Sequence, residues 1–322
     1  MHFQVSGVEA FVLFPPLVTF TISFVTSMGG VSGAFLLLPF QVSVLGFDSP
    51  AVSPTNLVFN LVAIPSGVYR YIREGRMAWP LAGVVIAGTL PGVLMGVYVR
   101  IRFLPDPTLF KLFVGVVLLY IGTQLLYQPL LRYLHGKTEI KEREIEFNKR
   151  FSSLRSQFSE PDSGGRSRSA VVKSIKFSLK KYEYEFWGER YSFNPVVLFL
   201  FSLFVGLIGG AYGIGGGSIL VPFCIAVLGL PVYTVAGAAL LSTFATSIVG
   251  ISYYYLAAIA YESPELAIRP DWMLGLLFGL GGLFGMYCGA RFQKFVPERV
   301  IKIVLGILIL TIAFRYIYQF FG

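Results

Sequence analysis

The sequence is short of charge. Asp, Glu, Lys and Arg make up 13% of 322 residues, and Tyr191 to Tyr261 contains none of them. So few polar residues cannot coat a globule of this length, which excludes the soluble classes. The two histidines, His2 and His135, lie outside the apolar runs, and the two cysteines, Cys224 and Cys288, lie within them without metal-ligand spacing. No acidic residue sits deep in any apolar run. Carboxylate proton relays, metal centres and membrane-embedded enzymes therefore lack their working groups, and no catalytic residue, metal or cofactor is expected. No nucleic-acid partner is expected either. Met1–Glu9 has no basic stretch and no small-residue cleavage site follows, so no cleavable signal peptide is expected.

What is present is apolar. Mean hydropathy is +0.70 and 55% of residues are hydrophobic. The 71 uncharged residues ending at Tyr261 are about three times the roughly 20 that cross a bilayer as a helix. Further uncharged runs occupy 10–47, 49–69, 77–99, 112–131, 272–290 and 303–314. Membrane-spanning backbone must be helical or a closed barrel. These runs are too long and too uniformly apolar for barrel strands, which predicts an all-α polytopic membrane protein in contact with lipid.

An internal repeat organises the chain. A shift of 183 aligns "GVSGAFLLLPFQVSVLG" (30–46) with "GIGGGSILVPFCIAVLG" (213–229). Gly30, Gly33, Pro39, Phe40 and Gly46 then match Gly213, Gly216, Pro222, Phe223 and Gly229. A shift of 193 pairs Trp79, Gly88, Gly92 and Gly96 with Trp272, Gly281, Gly285 and Gly289. A shift of 191 pairs 109–119 with 300–310. The chain divides into a first membrane repeat over 1–131, a basic loop over 132–192, and a second repeat over 193–322. Each repeat holds five segments: 10–27, 31–46, 51–70, 79–99 and 107–128, then 195–211, 215–230, 232–258, 272–291 and 298–318. Five is odd, so about ten crossings make the second repeat inverted.

Charge orients the chain. With ten crossings, one side carries 21 Lys/Arg and the other 5, though the tally is 7 against 5 without the central loop. Basic loops favour the cytoplasmic side, placing both termini outside and 132–192 in the cytoplasm of an inner-membrane protein. The central loop carries 14 Lys/Arg and 9 Asp/Glu. Its "SEPDSGGRSRS" (159–169) reads as a flexible linker, and the alternation over 171–193 suggests a small β-hairpin near anionic headgroups.

The glycines are the densest signal. "GAYGIGGGSILVPF" (210–223) resembles a phosphate loop in composition, but it has no lysine and no dinucleotide-type G-x-G-x-x-G spacing. Segments 31–46 and 215–230 are short, each contains a proline, and each follows a glycine cluster. Broken helices at matching places in inverted halves mark a transporter's midplane site. Their N-termini favour an anion, and glycine lets backbone amides approach it. Gly30, Ser32, Gly33, Gly213, Gly215, Gly216, Gly217 and Ser218 are candidate ligand contacts on this basis. A methyl at Gly216 or Gly217 is expected to obstruct the ligand and to disfavour left-handed backbone. The next segments add Asn56 and Asn60, four apart on one face, and Ser242, Thr243 and Thr246. Small residues also serve helix packing, the better reading for the Gly88/92/96 and Gly281/285/289 ladders.

The run Gly213-Ile-Gly215-Gly216-Gly217 through Pro222, with its echo ending at Pro39, resembles the sulfite exporter TauE/SafE family, also called toluene sulfonate uptake permeases. The similarity covers both membrane repeats and leaves out 132–192. The first copy carries Ser32 and Ala34 where the second has glycines. The resemblance implies movement of sulfite, sulfonates or related organosulfur anions across the cytoplasmic membrane, with export the expected direction. Alternating access around the two breaks is the leading mechanism, and a passive anion channel is the alternative.

Overall fold

A computed structural model describes residues 1–28, 32–73, 77–134, 172–178, 181–186, 189–230, 232–261, 263, 266–292 and 298–321. Among them the first half forms α1 (Phe14–Met28), α2 (Ala34–Ser43), α3 (Val52–Ala63), α4 (Pro65–Arg73), α5 (Trp79–Arg102) and α6 (Pro107–Leu134). The second half forms α7 (Pro195–Tyr212), α8 (Gly217–Ala226), α9 (Val232–Tyr261), α10 (Trp272–Phe292) and α11 (Glu298–Phe321). Six of these helices are long and apolar enough to cross a membrane, with α1 and α2 as shorter apolar helices. The protein is thus a mostly helical, polytopic membrane protein.

Local sequence explains the helix ends. Asn194 caps α7 by accepting from the Val196 and Val197 amides at 2.9 and 3.3 Å, with Pro195 as its first residue. Asp271, 3% exposed, caps α10 by accepting from the Leu274 amide at 3.1 Å. Its other oxygen accepts from the Ser6 hydroxyl at 2.9 Å and amide at 3.1 Å, which ties the N-terminal segment to the second half. The segment read as one helix over 51–70 is instead two, α3 and α4. Pro65 has no N–H to continue the ladder, so the chain breaks after Ile64.

Helix pairing follows the glycines. α5 lies along α7, α1 along α10, and α6 along α11, while α3 and α9 meet in the middle. Gly88, Gly92 and Gly96 rest on the backbone carbonyls of Phe199, Leu203 and Leu207, and Gly206 and Gly210 return the contact on Thr89 and Val93. Gly281, Gly285 and Gly289 rest likewise on Pro16, Phe20 and Phe24. These approaches bring backbone against backbone, where packing and not solvent drives association. Exchanging the halves maps α1 with α10 onto α7 with α5 and α3 with α10 onto α9 with α5, and it maps α6 with α11 and α3 with α9 onto themselves.

The expected hairpin over 171–193 is a three-stranded antiparallel sheet of β1 (Lys173–Phe177), β2 (Tyr182–Phe186) and β3 (Glu189–Phe193) in that order. Tyr182 pairs with Phe193 and Tyr184 with Tyr191, which places these aromatic residues on one face. Tyr182, Tyr184 and Phe193 are buried, and the Tyr184 hydroxyl lies 3.0 Å from Thr234 Oγ1 at the start of α9. Burial pushes the Tyr184 phenol up to about 12, so it stays neutral. The sheet therefore docks on the helical body. The linker expected over 159–169 lies outside the described residues.

Candidate functional site

A helix that stops inside the protein leaves its last carbonyls and its successor's first amides without helical partners. At the break between α7 and α8 most of these carbonyls have identifiable donors. Gly213 ends α7 in the left-handed region at φ 88° and its amide returns to the Gly209 carbonyl at 2.8 Å. The Tyr254 hydroxyl, from α9, donates to the Gly210 carbonyl at 2.9 Å. One stripe of α3 takes three more carbonyls. Ser53 Oγ donates to Ala211 at 2.8 Å, Asn56 Nδ2 to Gly213 at 3.0 Å and Asn60 Nδ2 to Ile214 at 3.3 Å. Spacings of three and four residues put these side chains on one helix face.

Asn56 joins the two breaks. Its Nδ2 also donates to the Ala34 carbonyl at 3.0 Å, and its Oδ1 accepts from Gln41 Nε2 at 3.2 Å. A second tie follows from proline chemistry. Pro39 has no N–H for the carbonyl four residues earlier, that of Phe35, and the Tyr212 hydroxyl donates to that oxygen at 2.9 Å. The first residues of α2 and the last of α7 are therefore held together by side chains from α3 and α7.

The amide side is different. The Gly217 amide donates to Thr243 Oγ1 at 3.1 Å. The amides of Gly215 and Gly216 donate to no acceptor among the described residues. Around them stand Thr243, which a methyl on Gly215 would overlap, and Thr89, 3.4 Å from where a Gly216 methyl would lie. Thr89 Oγ1 and Ser242 Oγ are 2.8 Å apart, both buried. The result is a break at which four carbonyls take donors from α3 and α9, whereas the Gly215 and Gly216 amides at the glycine-lined end have no acceptor among the described residues.

Most of the sequence-read candidates have a place in this arrangement. Gly30 lies outside the described residues. Ser32 Oγ accepts from the Ala34 amide at 3.3 Å, and Gly33 packs on the Ser23 and Thr26 hydroxyls. Ser218 lies in the first turn of α8. Thr246 is not brought to the break: its hydroxyl donates to the carbonyl of Thr243 in its own helix at 3.0 Å. The left-handed residues are Gly213 and Gly215, at φ 88° and 67°. Gly216, at φ −80°, and helical Gly217 are right-handed, so the expectation of left-handed backbone there is corrected. Asn56 and Asn60 direct their amide protons at carbonyls, so they hold the loop's shape. Sequence reading missed Thr89, Gln41, Tyr212 and Tyr254, whose partners lie on other helices. A polar residue inside a charge-free run was the available signal for Gln41 and Thr89.

Interrupted helices held together at the centre of an apolar helical body define an integral membrane protein of the transporter type. The family model for "Sulfite exporter TauE/SafE" matches residues 16–316. The chain belongs to that family. No curated protein and no solved structure matches it significantly.

Proposed function

We propose that this chain is a secondary transporter of small sulfur-containing anions, sulfite or a sulfonate, that exports its substrate by alternating access. One observation carries the reading: the Gly210, Ala211, Gly213 and Ile214 carbonyls at the α7–α8 break accept from protein donors, while the Gly215 and Gly216 amides are left for a ligand. Donors without acceptors select an anion, and the positive end of the α8 backbone adds to that preference. Family membership supports sulfur oxyanions as the substrate class. The exchange relation between helix pairings supports two inverted repeats that rock against each other about the joined breaks.

The test is sulfite movement into and out of liposomes holding the purified protein. Saturation with counterflow supports a transporter, whereas a steady conductance without counterflow makes the protein a channel. Gly216→Ala is the informative variant. Its methyl would lie 3.2 Å from Val205 and 3.4 Å from Thr89, and φ −80° accepts alanine, so folding is expected to survive. Sulfite-dependent thermal stabilisation should then need about tenfold more sulfite, the equivalent of about 1.4 kcal/mol. Normal sulfite binding in this variant places the site elsewhere.

Orientation has its own check. In a background without Cys224 and Cys288, Gly164→Cys and Pro264→Cys should label from opposite sides of an intact membrane, Gly164→Cys from the cytoplasm. Labelling of both from one side removes the inverted arrangement.

A further inference from the structure

Arg100 is a cation that the fold buries completely, at 0% exposure in the last turn of α5. Its guanidinium carbon stands 3.7 Å from the centroid of the Phe110 ring. Nη1 donates to the Leu104 carbonyl, and Nε reaches Ser53 Oγ at a long 3.4 Å. Nη2 is buried with no partner. Among the described residues no carboxylate lies within ion-pair distance of it; Asp48 and Tyr254 are near enough only to feel its charge.

Capping the end of α5 explains Nη1 and stacking explains the planar face. Neither explains a full charge, which is unfavourable to bury unpaired. Nε and Nη2 form one edge of the guanidinium, the fork that grips two oxygens of a single oxyanion. In Arg100 that is the edge with one long bond and one nitrogen without a hydrogen-bond partner.

Its neighbours place it on a route. Ser53, which receives Nε, donates to the Ala211 carbonyl in the last turn of α7, and Tyr254 donates to that of Gly210. The central break is therefore one side chain away. Next to Arg100 in sequence, Ile101 and Arg102 line a cavity of about 290 Å³, whose other walls include Tyr98 of α5 and Tyr253 and Ala257 of α9. This end of α5 is opposite the one that starts at Trp79, which follows the basic stretch of Arg70, Arg73 and Arg76 in sequence. Under the shifts of 193 and 191 that bracket it, Arg100 corresponds to Gln293 or Arg291, and Arg291 is exposed in the last turn of α10.

We propose that Arg100 is a second anion site, a station between this cavity and the central break, where its Nε–Nη2 edge takes two oxygens of the transported sulfur oxyanion. The proposal rests on the transport reading above and adds a polarity to it: one mouth of the pathway holds an anion by a buried charge, whereas the nearby cation of the second repeat, Arg291, is exposed. Opening of α5 against α9 is the movement that would admit the anion from the cavity.

The experiment compares full-length wild type, R100M and R100K in liposomes, with sulfite supplied from either side, beside the melting temperature of each purified protein. R100M is expected to raise the half-saturating sulfite concentration at the cavity-facing side by about tenfold or more, with a much smaller change at the other side. R100K keeps the charge without the fork and should fall between, with a steeper salt dependence. A change in melting temperature with half-saturation unchanged at both sides would make Arg100 a cap for α5 and overturn the proposal. Should R100M not fold, R100K carries the test alone: wild-type half-saturation at both sides overturns it. If wild type neither moves nor binds sulfite, the transport reading fails and this site falls with it. If wild type saturates and the arginine variants match it from both sides, this proposal alone fails.

Discussion

Gly281→Ala is expected to destabilise the protein by about 3 kcal/mol, the upper range for forcing atoms into a packed interface. The added methyl would overlap the Pro16 carbonyl and crowd the Thr19 hydroxyl, and the overlapped atom belongs to backbone that cannot rotate away. α1 must move off α10 along its whole contact, since Gly285 and Gly289 hold the same line on Phe20 and Phe24. The control is Gly83→Ala on α5, where nothing lies within 4 Å of the new methyl. There alanine should be neutral or stabilising by about 0.5–1 kcal/mol, its helix advantage over glycine. Melting temperatures of the two variants in detergent decide the matter. A wild-type melting temperature for Gly281→Ala would show that the ladder does not set the helix spacing. The sulfite affinity of the Gly281→Ala protein that remains folded should be unchanged, because Gly281 meets Pro16 and Thr19 at the start of α1, far along that helix from its broken end.

Asn56→Ala is expected to lower both stability and flux. It removes the donor to the Ala34 and Gly213 carbonyls and the acceptor for Gln41. Hydrogen bonds between membrane helices contribute roughly 0.6–2 kcal/mol each, so the sum is about 3 kcal/mol. The larger consequence is positional. With Asn56 gone, the start of α2 and the end of α7 lose their shared anchor, and sulfite flux should fall at least about tenfold even at a temperature where the protein is folded. Thr246→Val is the contrast, because its hydroxyl only returns to its own helix and its loss should cost less than about 0.5 kcal/mol. Equal losses in the two variants would show that Asn56 is one polar contact among many and not the joint between the breaks.

The comparison of sequence with structure separates two kinds of information. Apolar runs, glycine ladders and prolines are local and periodic, so the helices fall close to their expected ranges: 195–211 became Pro195–Tyr212, and 298–318 became Glu298–Phe321. Family membership was legible for the same reason, since Gly213 to Pro222 is a contiguous run. The interruption at Pro65 was legible in principle, but an unbroken apolar stretch over 51–70 hid it. The third strand was missed because alternation over 171–193 does not say how many times the chain turns back.

Within the candidate site the division is sharper. Sequence alone determined that glycines and short polar residues gather at two matching places in an uncharged interior. It could not determine which backbone groups they leave open. Asn56 and Asn60 read as ligand donors, yet tertiary structure turns them to the Gly213 and Ile214 carbonyls, more than 150 positions away in the chain. Arg100 follows directly on the apolar segment 79–99 in sequence, and only the packing of α3, α5 and α6 around it makes it a buried charge. The physical reason is the same in each case. Hydropathy and backbone propensity act between near neighbours and are written in residue order. The satisfaction of a particular carbonyl or charge depends on which distant side chain arrives there, and the folded chain alone decides that.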